Sequence, residues 1–145
     1  MESCNLFSAL RAAFPADLGQ TAIEAAGPDG APLYYTWRDL DQASARIANL
    51  LASLQLPEGS RIAVQVEKSV EAMLLYLATL RAGYVFLPLN TAYQSAEIEY
   101  FIGNAEPAVV VCTPGNFGWV SKIAFTAGSQ HVFTLGDDRT GSLLE

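Results

Sequence analysis

The side chains that could do chemistry in this sequence sit in short stretches that follow apolar runs. "EKS" (67–69) follows "RIAVQV", "NTAY" (90–93) follows "YVFLPL", "TPGNFG" (113–118) follows "AVVVC", and "GDD" (136–138) follows "HVFTL". Ser69 and Ser95 are the serines placed where a nucleophile might stand. Neither lies in the Gly-x-Ser-x-Gly elbow of a hydrolase, and both read as helix caps. His131 is the single histidine, so histidine metal clusters have no second member; at the start of a strand it reads as structural.

The glycines of "TPGNFG" invite a phosphate-cradling reading, yet the spacing matches neither Gly-x-x-x-x-Gly-Lys-Ser/Thr nor Gly-x-Gly-x-x-Gly. A plain turn is the expectation. Asp137 and Asp138 form an acidic pair that reads as a solvated turn, since no further carboxylates stand at matched positions for magnesium. Glu67 and Lys68 are neighbours and point apart in extended chain, so they do not pair as acid and base. No catalytic, cofactor-binding or metal-ligating residue is assigned. Lys68, Asn90 and Tyr93 remain as strand-end residues expected to face a cleft.

The elements that position these loops follow from hydrophobic period. Leu6, Phe7, Leu10, Ala13 and Phe14 have helical spacing and stop at Pro15. Two short extended runs, 21–25 and 33–36, flank the turn-forming "GPDGAP" and predict a hairpin. Thr36 is a cap with Asp39 in the first turn, and Trp37, Leu40, Ala43, Ile47, Leu50, Leu51 and Leu54 then form one apolar stripe. "RIAVQVE" predicts a strand with Ile62, Val64 and Val66 on one side and Ala63 and Gln65 on the other. From the cap Ser69, residues 70–82 are apolar nearly all round, and Gly83 is placed to end that helix in a left-handed conformation.

Tyr84 to Leu87 is short and uniformly apolar, which suits the central strand of a parallel sheet covered on both faces. Pro88 cannot donate to the ladder and ends it. The alternation continues with a helix from about Ser95, a strand from Val109 to Cys112, a helix through Trp119, Val120, Ile123 and Ala124, a stop at Gly128, and a strand from Val132 to Leu135. Another helix is expected to begin at "TGSLLE". The predicted fold class is α/β, a mostly parallel sheet flanked by helices and preceded by an N-terminal helix and a β-hairpin. In such a sheet, ligands gather beyond the carboxyl ends of the strands.

At 145 residues the chain is one domain or a piece of one, able to bury roughly 68–70% of its unfolded surface. Hydrophobic residues make up 51% and charged residues only 16%, which implies that part of the surface is covered by something else. A net charge of −7 with eight scattered Lys and Arg residues argues against nucleic acid. Cys4 and Cys112 form no metal spacing and no disulfide framework, with Cys112 a packed core thiol, so a reducing, cytoplasmic setting is expected. No secretory leader or membrane span is read, as no window reaches about eighteen apolar residues.

Three blocks, "YYTWRDLDQASARIANLLASL", "RIAVQVEKSVEAMLLYLATLRAGYVFLPLNTAY" and "EIEYFIGNAEPAVVVC", resemble the N-terminal portion of the adenylate-forming acyl-CoA synthetases, most nearly their malonyl-CoA branch. The resemblance runs from about Thr21 to Leu135. It implies a parent enzyme that uses ATP and magnesium to turn a small carboxylic acid, malonate, into an acyl-adenylate, and then passes the acyl group to the CoA thiol. The family's Gly/Ser/Thr-rich phosphate loop, adenine- and ribose-binding motifs, acyl-pocket residues and C-terminal catalytic lysine have no counterpart here.

Residues 1–145 are therefore expected to be an N-terminal fragment of the large AMP-binding domain, inactive alone, with the remainder of the synthetase as its partner and self-association through exposed apolar surface. Two other readings stay open: a free-standing flavodoxin-like module binding a ligand or a protein, and an adenylation domain without CoA transfer. A ligand-dependent rise in melting temperature would favour the former.

Overall fold

The computed structural model describes residues 4–145. Helix α1 (Leu6–Ala12) is followed by an antiparallel hairpin of β1 (Thr21–Ala26) and β2 (Pro32–Thr36), then α2 (Trp37–Ser53). There follow β3 (Arg61–Gln65), α3 (Val70–Arg81), β4 (Val85–Pro88), α4 (Ser95–Ala105), β5 (Val109–Cys112), a single 3-10 turn (Pro114–Asn116), α5 (Phe117–Thr126) and β6 (His131–Thr134). The helix expected at "TGSLLE" does not form: a turn there brings Leu143 into the core at 3% exposure.

Local signals explain most boundaries. Asp39 N–H donates to the Thr36 hydroxyl while Thr36 N–H donates to the Asp39 carboxylate, a reciprocal cap on α2, and such caps contribute about 1 kcal/mol. Ser69 accepts from Ala72 N–H at the start of α3. Ser95 does not cap α4 as expected: it is the first helical residue, Gln94 holds the cap position, and Gln94 N–H donates to Glu97 Oε2. Gly83 adopts φ +83° immediately beyond α3, a region open to glycine at little cost.

Strands β3 to β6 form a parallel sheet in the order β4-β3-β5-β6. Alternate strand residues face opposite layers. Ile62, Val64, Val109 and Val111 pack with Leu40, Ile47 and Leu51 of α2 and Leu74, Leu75 and Ala78 of α3. Ala63, Val110 and Cys112 pack with Ile98 and Ile102 of α4 and Val120 and Ala124 of α5. The chain leaves β3 for β4 on one side, then passes back over β3 to reach β5. Right-handed crossovers in opposite directions require helices on opposite faces, which is the observed placement of α3 against α4 and α5.

This order overturns the expectation for the "YVFL" run. Strand β4 lies at the sheet edge, with Val85 48% exposed, while β3 and β5 are central. The Val85 and Leu89 amides turn inward to Ser60 O and Val64 O. By two-residue alternation, Phe86 and Pro88 occupy the outward positions, so proline removes a donor that would otherwise invite another strand.

Candidate functional site

The strand order reverses between β3 and β5, and open α/β sheets take ligands beyond the carboxyl ends of the strands at such a point. Residues beyond these strand ends divide between the two faces of the sheet.

On the α4 face, Gln65 ends β3, pairs in register with Cys112, and is 1% exposed. Its Nε2 donates to Asn90 O at 3.0 Å and to Tyr93 O at 3.4 Å. One carboxamide thus holds both ends of the turn closed by Tyr93 N–H to Asn90 O. The Asn90 side chain is spent locally, accepting from Ala92 N–H at 2.9 Å, although the residue is exposed. The Tyr93 ring stacks on Phe101 with centroids 5.1 Å apart, so this tyrosine is half-buried packing. Beside them, burial raises the Cys112 thiol to about 11, which keeps it protonated and unreactive at neutral pH.

On the α3 face, Lys68 is exposed and lines an open groove of about 490 Å³ with Ser69, Glu71, Tyr35, Asp137, Asp138 and Arg139, among others. Asn90 and Tyr93 take no part in that groove. Of the three strand-end residues, Asn90 and Tyr93 are joined through Gln65, while Lys68 lines the separate groove beside α3.

The groove holds a cluster that sequence reading missed. Glu71, with its side chain 8% exposed, accepts at one oxygen from the Tyr35 hydroxyl at 2.8 Å and from Arg139 Nε at 2.8 Å. Burial, followed by the bond to Glu71, pushes the Tyr35 phenol above its ordinary value. It stays a donor. Arg139 sits at φ +68°, a conformation that costs a non-glycine residue about 1 kcal/mol or more. The ion pair with a buried carboxylate offsets that strain. Asp138 accepts from the Thr140 hydroxyl and N–H, which lowers its pKa in an exposed turn. His131 lies over Phe133 at 6.2 Å. The only signal of the cluster in the sequence is a lone glutamate in the otherwise apolar "VEAMLLYLATL".

Tyr35 and Arg139 converge on one oxygen of Glu71, so the cluster braces the hairpin, α3 and the turn after β6. Among the described residues, no three His, Cys, Asp or Glu side chains converge to hold a metal ion. These residues do not fit Mg²⁺, and no ATP contact is assigned to them.

A four-stranded parallel sheet with α2 and α3 on one face, α4 and α5 on the other, and a hairpin in front is the fold of the N-terminal domain of acyl-CoA synthetases. It matches ATP-bound MatB from Rhodopseudomonas palustris with TM-score 0.84 and 45% identity, covering 96% of this chain and 26% of that one. It also matches an acyl-CoA synthetase of Brucella canis with TM-score 0.72 and 25% identity, covering 83% of this chain and 22% of that one. Among curated relatives, the isonitrile lipopeptide synthase of Mycobacterium tuberculosis is 32% identical over 80 residues, 55% of this chain and 3% of that protein. The chain belongs to the AMP-binding enzyme family, whose profile matches residues 17–139. It spans about a quarter of the solved chains it resembles and a few per cent of that curated relative.

Proposed function

We propose that residues 1–145 are the N-terminal portion of the large domain of an acyl-CoA synthetase that activates malonate. In the first step a malonate carboxylate oxygen attacks the α-phosphorus of ATP, the bond to the bridging oxygen breaks, and pyrophosphate leaves with its electron pair. In the second, the CoA thiolate attacks the acyl carbonyl and AMP departs. ATP and CoA are the co-substrates. Magnesium would neutralise the phosphate charge, held by residues outside this stretch.

The observation that carries this reading is 45% identity sustained over 96% of the chain with an ATP-bound protein. The part of the synthetase seen here supplies no reacting group. It supplies the braced sheet edge on which the remainder is mounted, with the exposed Lys68 and Asn90 turned toward that remainder and Tyr93 holding its turn from within. Exposed Tyr34, Val85, Tyr100, Phe117 and Phe125 are surface that the remainder covers. No helix of the described residues is long and apolar enough to cross a membrane, and the unpaired Cys4 and Cys112 support the reading of a reducing, cytoplasmic setting.

The peptide synthetase relative favours a second reading, an adenylation unit that hands its adenylate to another acceptor. Two experiments separate these. Residues 1–145 mixed with ATP, magnesium, CoA and malonate should release no AMP, and sustained turnover would overturn the assignment of the chemistry to other residues. The same chain extended with the sequence encoded beyond codon 145 should form malonyl-CoA and AMP. An amino acid-dependent pyrophosphate exchange with no CoA product would establish the peptide synthetase reading instead.

A further inference from the structure

The two edges of the parallel sheet are closed by different means. On β4 an outward position falls to Pro88, which has no N–H to offer. On β6 the amides of His131 and Leu135 turn inward to Ala108 O and Cys112 O, so two-residue alternation sets Val132 and Thr134 outward. Outward N–H and C=O groups of this kind are what a further strand would bind.

At Thr134 both groups are already taken, by chain that is not a strand. Thr134 N–H donates to Ser142 Oγ at 3.0 Å, and Ser142 N–H donates back to Thr134 Oγ1 at 3.0 Å. Thr134 O accepts from Leu143 N–H at 3.1 Å. The segment passes so near the strand that a Cβ on Gly141 would run into Thr134 O. It is also anchored away from the edge: Gly136 N–H donates to Thr140 O at 2.8 Å, Arg139 Nε donates to Glu71, and Leu143 enters the core at 3% exposure. The strand beneath, "HVFT", carries β-branched and aromatic residues and no Asp, Glu, Lys or Arg, a composition that favours pairing.

We propose that residues 136–143 guard the β6 edge, and that the partner they exclude is the same edge of a second copy of this chain. A second copy presents identical groups at identical spacing, so two β6 strands related by a two-fold axis can pair antiparallel. In that arrangement Val132 of one strand stands opposite Thr134 of the other. Each hydrogen-bonded pair across the axis then needs a Thr134, and the guard, by occupying Thr134 alone, withdraws them all.

The test needs no substrate, so it stands or falls separately from the reaction proposed above. In residues 1–145, a first variant, Thr134→Val with Ser142→Ala, removes both hydroxyls of the guard and keeps every backbone amide. These hydroxyls lie at the surface, so the core is kept. In sedimentation over a concentration series this variant should self-associate about tenfold or more tightly than wild type, and its Val132 amide should exchange more slowly as concentration rises. A second variant, Thr134→Pro with Ser142→Ala, removes the same hydroxyls and also the outward N–H, without touching the ladder to β5. Its association should return to the wild-type level. Wild-type association of the first variant would overturn the guard. Equal association of both variants would overturn edge pairing as its target. Should the proline variant fail to fold, exchange at Val132 that stays independent of concentration in the first variant refutes edge pairing in its place.

Discussion

Tyr35→Phe removes one oxygen atom from the hairpin and leaves the ring in place, which makes it the cleanest probe of the Tyr35–Glu71–Arg139 brace. The lost bond is a phenol donating at 2.8 Å to a carboxylate whose side chain is only 8% exposed. Hydrogen bonds to charged groups contribute about 1.5–3 kcal/mol. Arg139 still neutralises the carboxylate after the change, so the loss is expected near the middle, about 2 kcal/mol. With a urea m-value of about 2 kcal/mol per molar, the unfolding midpoint should fall by about 1 M. Trp37 and Trp119 fluorescence reports the transition.

Arg139→Ala alone should cost less, about 0.5–1 kcal/mol, because the arginine side chain is 49% exposed. Combined with Tyr35→Phe it should cost more than the sum, since Glu71 is then buried with neither donor. The phenol adds a pH signature. Its folded-state pKa lies above the ordinary value of 10.0, so its stabilisation is complete below pH 10 and is lost as pH rises through the folded value. That alkaline loss should be absent in Tyr35→Phe. A midpoint shift below about 0.25 M, or strict additivity of the two single changes, would refute the brace.

Two further outcomes follow from local geometry. A Cβ at Gly141 would meet Thr134 O at φ +125°, whereas one at Gly103 on α4 would meet nothing within 4 Å. Gly141→Ala should therefore destabilise by about 2 kcal/mol or more, while Gly103→Ala should stabilise by about 0.5–1 kcal/mol, both read by thermal or urea unfolding. Cys4 is exposed and Cys112 buried, so a disulfide reagent such as DTNB should titrate one thiol rapidly in the native chain and the second only in denaturant. Because the Cys112 pKa is about 11 against an ordinary 9.0, its stabilising contribution is present below pH 9 and lost as pH climbs through about 11.

The elements were legible because their signals are local. The Thr36–Asp39 cap, the Ser69 cap, the left-handed Gly83 and the alternation of Ile62 and Val64 against Ala63 each depend on residues within one turn or one strand. Three positions misled for a shared reason. "YVFL" fits a central or an edge strand equally until the strand order is known, Ser95 and Gln94 compete for one cap position, and "GSLLE" has helix-forming residues that instead deliver Leu143 to the core.

The site was less legible than the fold. Tyr35, Glu71 and Arg139 lie 36 and 68 residues apart along the chain, and Gln65 reaches carbonyls 25 and 28 residues away. The sequence marks Lys68 and Asn90 as strand-end residues but carries no sign that one lines the groove beside α3 and the other the turn held by Gln65.

What the sequence determined by itself is the succession of strands and helices, their caps and their stops, together with membership of a family marked by the blocks around 34–54, 61–93 and 97–112. Only the tertiary structure decided that β4 is an edge, that the order reverses at β3 and β5, and that one glutamine and one glutamate are buried among partners. Hydrophobic period and capping are short-range and readable along the chain, whereas strand order and the meeting of distant polar groups are set by which apolar faces close together in space.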